Sequence, residues 1–207
     1  MATRVKVCGI TRLEDARLSC NFGADAIGFV FYPPSPRYIE PSRAAPISTK
    51  LPPFVSSVGL FVDADAAAVS AALGTIRLDY LQFHGDESPA YCAQFGVPYL
   101  KAVRVKPGVD LLQYATEFMS AKALLLDAYV EGLHGGTGQG FDWQLIPKDL
   151  PLPIILSGGL RSDNVSGAIN AVRPWAVDVS SGVEASKGIK DSDKLERFMR
   201  GVRNADV

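Results

Sequence analysis

The chain has 207 residues, 47% of them hydrophobic, with 21 Lys+Arg against 22 Asp+Glu and a formal net charge of -1. Without a block of like charge it lacks the concentrated positive field that nucleic-acid and membrane-surface partners require, and no apolar run nears the ~18 residues of a membrane span. At this length folding buries roughly 70% of the extended chain's surface, so one domain over residues 1–207 can form a core without staples.

Short, nearly continuous apolar runs recur along the chain. They predict strands at residues 5–8, 26–31, 58–62, 80–83, 100–105, 123–126, 154–156 and 176–179, and runs of this kind suit a parallel sheet covered on both faces. After the first run, Thr11-Arg12-Leu13-Glu14 reads as a capping box, and Gly23 suits the exit of the helix it would start. Residues 128–141 form the longest irregular stretch, and five glycines there suggest a lid. Val165, Ala168, Ile169 and Val172 follow helical spacing, as do Leu195, Phe198, Met199 and Val202 in a final helix. Eight strands alternating with helical or loop segments predict an α/β fold, the (β/α)8 TIM barrel, as a single domain. A doubly wound open sheet is the alternative, but the first strand ends Cys8-Gly9-Ile10-Thr11 and not in a GxGxxG turn.

Cys8, Cys20 and Cys92 are an odd set without metal spacing, and residues 1–12 carry no signal-peptide pattern, so the expected setting is the reducing cytoplasm. Cys20 and Cys92 fall in helical core patterns and read as packing residues.

In a parallel barrel the chemistry comes from the C-terminal ends of the strands. Those ends supply Cys8, Arg37, His84, Asp127, Ser157-Gly158-Gly159 and Ser180-Ser181-Gly182. The last two groups follow the seventh and eighth strands, where barrels often bind a phosphate with backbone amides and a short helix start. Both would also serve as plain tight turns. Cys8 and Asp127 could form a base and acid pair, competing with the readings of a buried cysteine and a turn acceptor. A thiolate at neutral pH needs roughly 2 kcal/mol of preferential stabilisation, and a protonated carboxyl roughly 4 kcal/mol in the opposite direction. Arg37 on its proline turn offers a fork for an anion, against the alternative of a solvated arginine. His84 could position a substrate or serve as a structural histidine, and Asp178 reads as a strand carboxylate tied to backbone amides. Positive potential is expected only at Arg37 and at backbone amides around one small dianion.

Several segments together resemble the phosphoribosylanthranilate isomerases of tryptophan biosynthesis. They are Lys6-Val7-Cys8-Gly9-Ile10-Thr11, Gly28-Phe29-Val30-Phe31 with Ser35-Pro36-Arg37-Tyr38, Gln82-Phe83-His84-Gly85, Leu126-Asp127 with Gly135-Gly136-Thr137-Gly138, Leu156-Ser157-Gly158-Gly159-Leu160, and Val177-Asp178-Val179-Ser180-Ser181-Gly182-Val183-Glu184. The resemblance implies a metal-free barrel without cofactor that performs an Amadori rearrangement on a small phosphorylated substrate, as a monomer or homodimer. It places the general base on Cys8, the general acid on Asp127, the anthranilate carboxylate on Arg37, and the phosphate on Gly158, Gly159, Ser180, Ser181 and Gly182. His84 would contact substrate. The chain departs from the family pattern at Arg161 and Ser162, at Phe83 and at Gln139. A related barrel synthase would use a catalytic lysine, for which no charged strand end stands out here. The histidine-pathway isomerase would carry an aspartate at Cys8. A silent phosphate-binding scaffold would lack an acid or base.

Overall fold

The structure, a computed structural model, describes residues 2–106, 108–128 and 143–205. Eight strands alternate with helices along the chain: β1 (Arg4–Cys8), α1 (Leu13–Phe22), β2 (Ala26–Val30), α2 (Pro41–Ser48), β3 (Ser56–Phe61), α3 (Ala66–Thr75), β4 (Tyr80–Phe83) and α4 (Pro89–Ala93). They continue as β5 (Tyr99–Val105), α5 (Leu111–Glu117), β6 (Ala123–Ala128), β7 (Ile154–Leu156), α6 (Val165–Val172) and β8 (Ala176–Val179). A short 3-10 helix, Ser181–Val183, and a two-stranded ribbon of β9 (Glu184–Ser186) and β10 (Ile189–Lys190) precede α7 (Ser192–Ala205). Every neighbouring pair from β1 to β8 is parallel, and β8 returns to β1, so the sheet is a closed (β/α)8 barrel and the open-sheet alternative is excluded.

Period-two alternation sorts each strand into an inner and an outer face. The inner faces contribute Val58, Leu100, Ala102, Ala123, Leu125, Ile155 and Ala176, which form an apolar plug. The outer faces, with the helices, form the larger core, in which Phe29, Phe83, Leu81, Leu124, Leu126 and Leu156 are fully buried. In α7 Leu195, Phe198, Met199 and Val202 are all buried, and α6 buries Val165, Ala168 and Ile169 while Val172 is half-buried. Cys92 is fully buried, and burial pushes its thiol up to about 12, as suits an inert packing residue, whereas Cys20 is only half-buried.

One local expectation fails. Arg12, not Thr11, is the N-cap of α1, and it makes no side-chain cap bond. The Thr11 hydroxyl instead donates to the Gly188 carbonyl at 2.6 Å, a tertiary partner that displaces the local one. Gly23 does end α1 in the left-handed region, with φ 101°. The lid expected at residues 128–141 falls, beyond Ala128, outside the described residues.

Candidate active site

Cys8, Arg37, His84, Asp127, Gly158, Gly159, Ser180 and Ser181 line one cavity at the C-terminal ends of the strands. Gly182 is not on its wall. A Cβ there would stand 1.9 Å from the Leu160 carbonyl, so Gly182 is where the turns after β7 and β8 touch. Asn164 braces the first of these turns, donating from its side-chain amide to the Gly159 carbonyl at 3.0 Å and accepting from the Arg161 amide at 2.8 Å. The departures Arg161 and Ser162 are exposed, Phe83 packs outside the barrel among Tyr91, Phe95 and Tyr99, and Gln139 lies outside the described residues.

Beneath Cys8 the barrel interior is charged. Lys6, two residues earlier on the same face of β1, is buried and its ammonium lies 2.8 Å from Asp178. Asp178 also accepts from the Ser157 hydroxyl at 3.4 Å. The expectation that Asp178 is tied to backbone amides is therefore corrected: its partner is a cation, supplied by the neighbouring strand at the register position Lys6↔Asp178. Burial alone would push Lys6 down, but Asp178 and Cys8 outweigh it and hold the ammonium above its ordinary range. Cys8 shows the converse balance. Burial pushes its thiol up, Lys6 pulls it down by charge and hydrogen bond, Asp178 opposes, and Lys190 adds a second downward pull, with a net rise. Gly28 makes room for the pair, because a Cβ there would lie 2.8 Å from the Cys8 sulfur and 3.1 Å from Lys6 Cε.

Arg37 is 8% exposed, which overturns the solvated-arginine alternative. Its Nε and Nη2 each donate to a different oxygen of Glu184 at 2.8 Å, a bidentate pair that fixes the plane of the guanidinium. Glu184 also takes the Lys190 ammonium at 3.0 Å, and Lys190 reaches the carbonyls of Cys8 at 2.7 Å and Ser180 at 3.2 Å. Burial would raise Glu184, yet Arg37 and Lys190 bring its carboxyl below the usual range. Positive charge is thus not confined to Arg37, since Lys6 and Lys190 lie buried around Cys8. Nor are the strands free of lysine: Lys6 faces inward and Lys101 of β5 outward, the latter bonded to Glu87 at 2.7 Å. In both cases the ammonium is tied to a carboxylate.

His84 bridges two groups in the interior. Its Nδ1 is 3.0 Å from Gln82 Nε2, and its Nε2 is 3.1 Å from Asp127 Oδ2. Sequence reasoning missed Lys6, Gln82, Glu184 and Lys190 as parts of the site. Lys6 and Gln82 stand two residues before Cys8 and His84, but inside apolar runs that hide which face of the strand each takes. Glu184 carried no signal, because its partner Arg37 is 147 residues away.

The family model described as N-(5'phosphoribosyl)anthranilate (PRA) isomerase matches residues 5–201. The chain belongs to this family. The N-(5'-phosphoribosyl)anthranilate isomerase of Nitrosospira multiformis is 61% identical over 202 residues, covering 98% of this chain and 97% of the relative. Among solved structures, phosphoribosyl anthranilate isomerase from Thermotoga maritima superposes with a TM-score of 0.90 at 42% identity, covering 98% of this chain and 99% of the other. A phosphoribosyl anthranilate isomerase in complex with reduced 1-(o-carboxyphenylamino)-1-deoxyribulose 5-phosphate gives a TM-score of 0.83 at 39% identity, again over 98% and 99% of the two chains. Family membership carries an isomerase of the aldose-ketose type in tryptophan biosynthesis, built on a TIM barrel. No helix among the described residues is long and apolar enough to cross a membrane.

Proposed function

We propose that residues 1–207 act as one domain that converts N-(5'-phosphoribosyl)anthranilate to 1-(2-carboxyphenylamino)-1-deoxyribulose 5-phosphate, with Cys8 as general base and Asp127 as general acid. The observation that carries the reading is the convergence of both groups, from β1 and β6, on one cavity that also holds Arg37 and the turns after β7 and β8. In the first step Asp127 gives its proton to the furanose ring oxygen. The C1–O bond breaks onto that oxygen while the anthranilate nitrogen lone pair forms the C=N bond. The Cys8 thiolate then takes the C2 proton, the C–H electrons form the C1=C2 bond of an enamine, and the iminium is neutralised. Protonation at C1, with loss of the C2 hydroxyl proton as its electrons form the C2=O bond, gives the ketose. Burial favours the resting thiol, and the iminium charge beside it, with Lys6 and Lys190, favours the thiolate when it is needed.

In this reading Arg37, held flat by Glu184, faces the substrate carboxylate, and His84 lies against the reacting sugar. Gly158, Gly159, Ser180 and Ser181 hold the phosphate, with Gly182 shaping their approach. The chemistry needs no metal or cofactor, because the ring opens under acid catalysis with the anthranilate nitrogen as electron source and the remaining steps are proton transfers. A cytoplasmic location fits the three free cysteines. The test is the loss of fluorescence of freshly made phosphoribosylanthranilate. Cys8→Ser and Asp127→Asn are expected to lower kcat by about a hundredfold or more, as loss of a positioned acid or base does, while a phosphate-bearing product analogue still binds. Undiminished turnover in either variant would remove that residue from its role.

A further inference from the structure

Gln82 is wholly buried inside the barrel, and its Oε1 has no hydrogen-bond partner, although its Nε2 stands 3.0 Å from His84 Nδ1. A buried amide oxygen left without a partner costs about 1–3 kcal/mol, so its place beside a titratable ring asks for a reason. The amide of glutamine has two faces of nearly the same shape, one donating and one accepting, and the bond that exchanges them turns readily. Gln82 therefore has two ways to meet Nδ1. With the amide nitrogen towards it, Nδ1 is an acceptor, the ring proton is on Nε2, and Nε2–H donates to an ionised Asp127. With the amide oxygen towards it, Nδ1 carries a proton and donates to Oε1. A second proton then lies in the 3.1 Å contact between His84 Nε2 and Asp127 Oδ2. The first arrangement holds one proton on the His84 and Asp127 pair, the second holds two.

We infer that Gln82 is a positioning residue whose amide turns with the proton count of the His84 and Asp127 pair, satisfying Nδ1 both when the pair is loaded and when it is discharged. This deepens the proposed function, since it rests on Asp127 being the acid. It also changes the part played by His84, which stores and orients the proton that Asp127 delivers. The other charged and titratable groups around the pair have their own partners. From β5, Arg104 is the register neighbour of Asp127 and donates to the His84 carbonyl at 3.4 Å. Asp178 on β8 is held by Lys6 beneath Cys8, Arg37 by Glu184, and Glu87 by Lys101.

The experiment compares Gln82→Glu, whose ionised carboxylate can only accept from Nδ1–H, with Gln82→Leu, which leaves Nδ1 facing apolar atoms. An orphaned buried N–H is rarer than an underused acceptor, so leucine disfavours the loaded pair and glutamate favours it. The alkaline limb of kcat, where the acid proton is lost, is expected to move up by about one pH unit or more in Gln82→Glu and down in Gln82→Leu, with KM changed less than about twofold. A structural role alone would lower kcat in both variants with the limb unmoved, and that result overturns the inference. Imidazole 15N shifts in the His134→Asn protein, which leaves one histidine, give a second reading that survives if the Gln82 variants do not fold. Nε2 alone should carry hydrogen at the alkaline end, and Nδ1 should gain one as the pH falls. Hydrogen on Nδ1 at both ends would show a fixed amide and overturn the inference. If Asp127→Asn itself keeps full turnover, the acid reading fails. If Asp127→Asn is inactive and the two limbs stay put, only the role of Gln82 fails.

Discussion

Cys8 is held where burial works against its thiolate while Lys6 and Lys190 work for it, and burial wins in the substrate-free protein. In the proposed role of base, a thiol with a raised value is deprotonated only as the pH rises, so kcat/KM should climb through neutrality and level off above the ordinary thiol range. Lys6→Met removes the larger of the two favourable charges and leaves Asp178 unopposed, and both changes push the thiol further up. The acidic limb of kcat/KM should therefore move to higher pH, with a loss at pH 7 of about tenfold for each unit moved. A pH-rate profile unchanged from wild type would show that Lys6 does not act on Cys8. Cys8 and Asp127 were legible in the sequence because each is a polar residue closing an apolar run. Lys6 and Gln82 were not, because they lie inside such runs, where the continuous apolar character that marks a parallel strand masks the alternation of its two faces.

At the level of elements, the strand positions were readable to within about two residues, since each is a short, nearly continuous apolar run. The cap of α1 was not, because Thr11 bonds across 177 residues to Gly188. That contact belongs to a strap in which the ribbon of β9 and β10 is drawn over the mouth of β1. Glu184 joins Arg37 from the loop after β2 to Lys190, and Lys190 joins the Cys8 and Ser180 carbonyls. Glu184→Gln leaves two buried cations without their shared anion, which should cost about 3 kcal/mol. For a chain of this size that is a fall in Tm of roughly 6–12 °C. The sign with pH follows from the lowered carboxyl: its contribution is full above the ordinary glutamate range and is lost as the pH falls through the lowered value. Thermal unfolding of the two proteins at neutral pH and in acid checks this, and the gap between them should narrow in acid.

The whole molecule closes where the first strand meets the last, and the buried Lys6 and Asp178 pair lies on that seam, as register partners on β1 and β8. Two charges inside a barrel are a poor source of stability, because desolvation consumes much of their attraction, and an apolar pair of similar volume often does as well or better. Breaking the pair on one side is different. Asp178→Asn strands a buried ammonium and should destabilise the barrel by about 3–5 kcal/mol. The double variant Lys6→Met with Asp178→Leu removes both charges and should recover most of that loss, because the seam keeps its backbone ladder and gains apolar contact. Turnover should not recover with it, since the cation that favours the Cys8 thiolate is gone. Stability and kcat measured for Lys6→Met, Asp178→Leu and the double of these two separate the terms as a double-mutant cycle. A double variant as unstable as Asp178→Asn would mean that the pair holds the barrel shut. A stable but inactive one means that the barrel would close without it, and that the charges at its seam are kept for the Cys8 thiol above them.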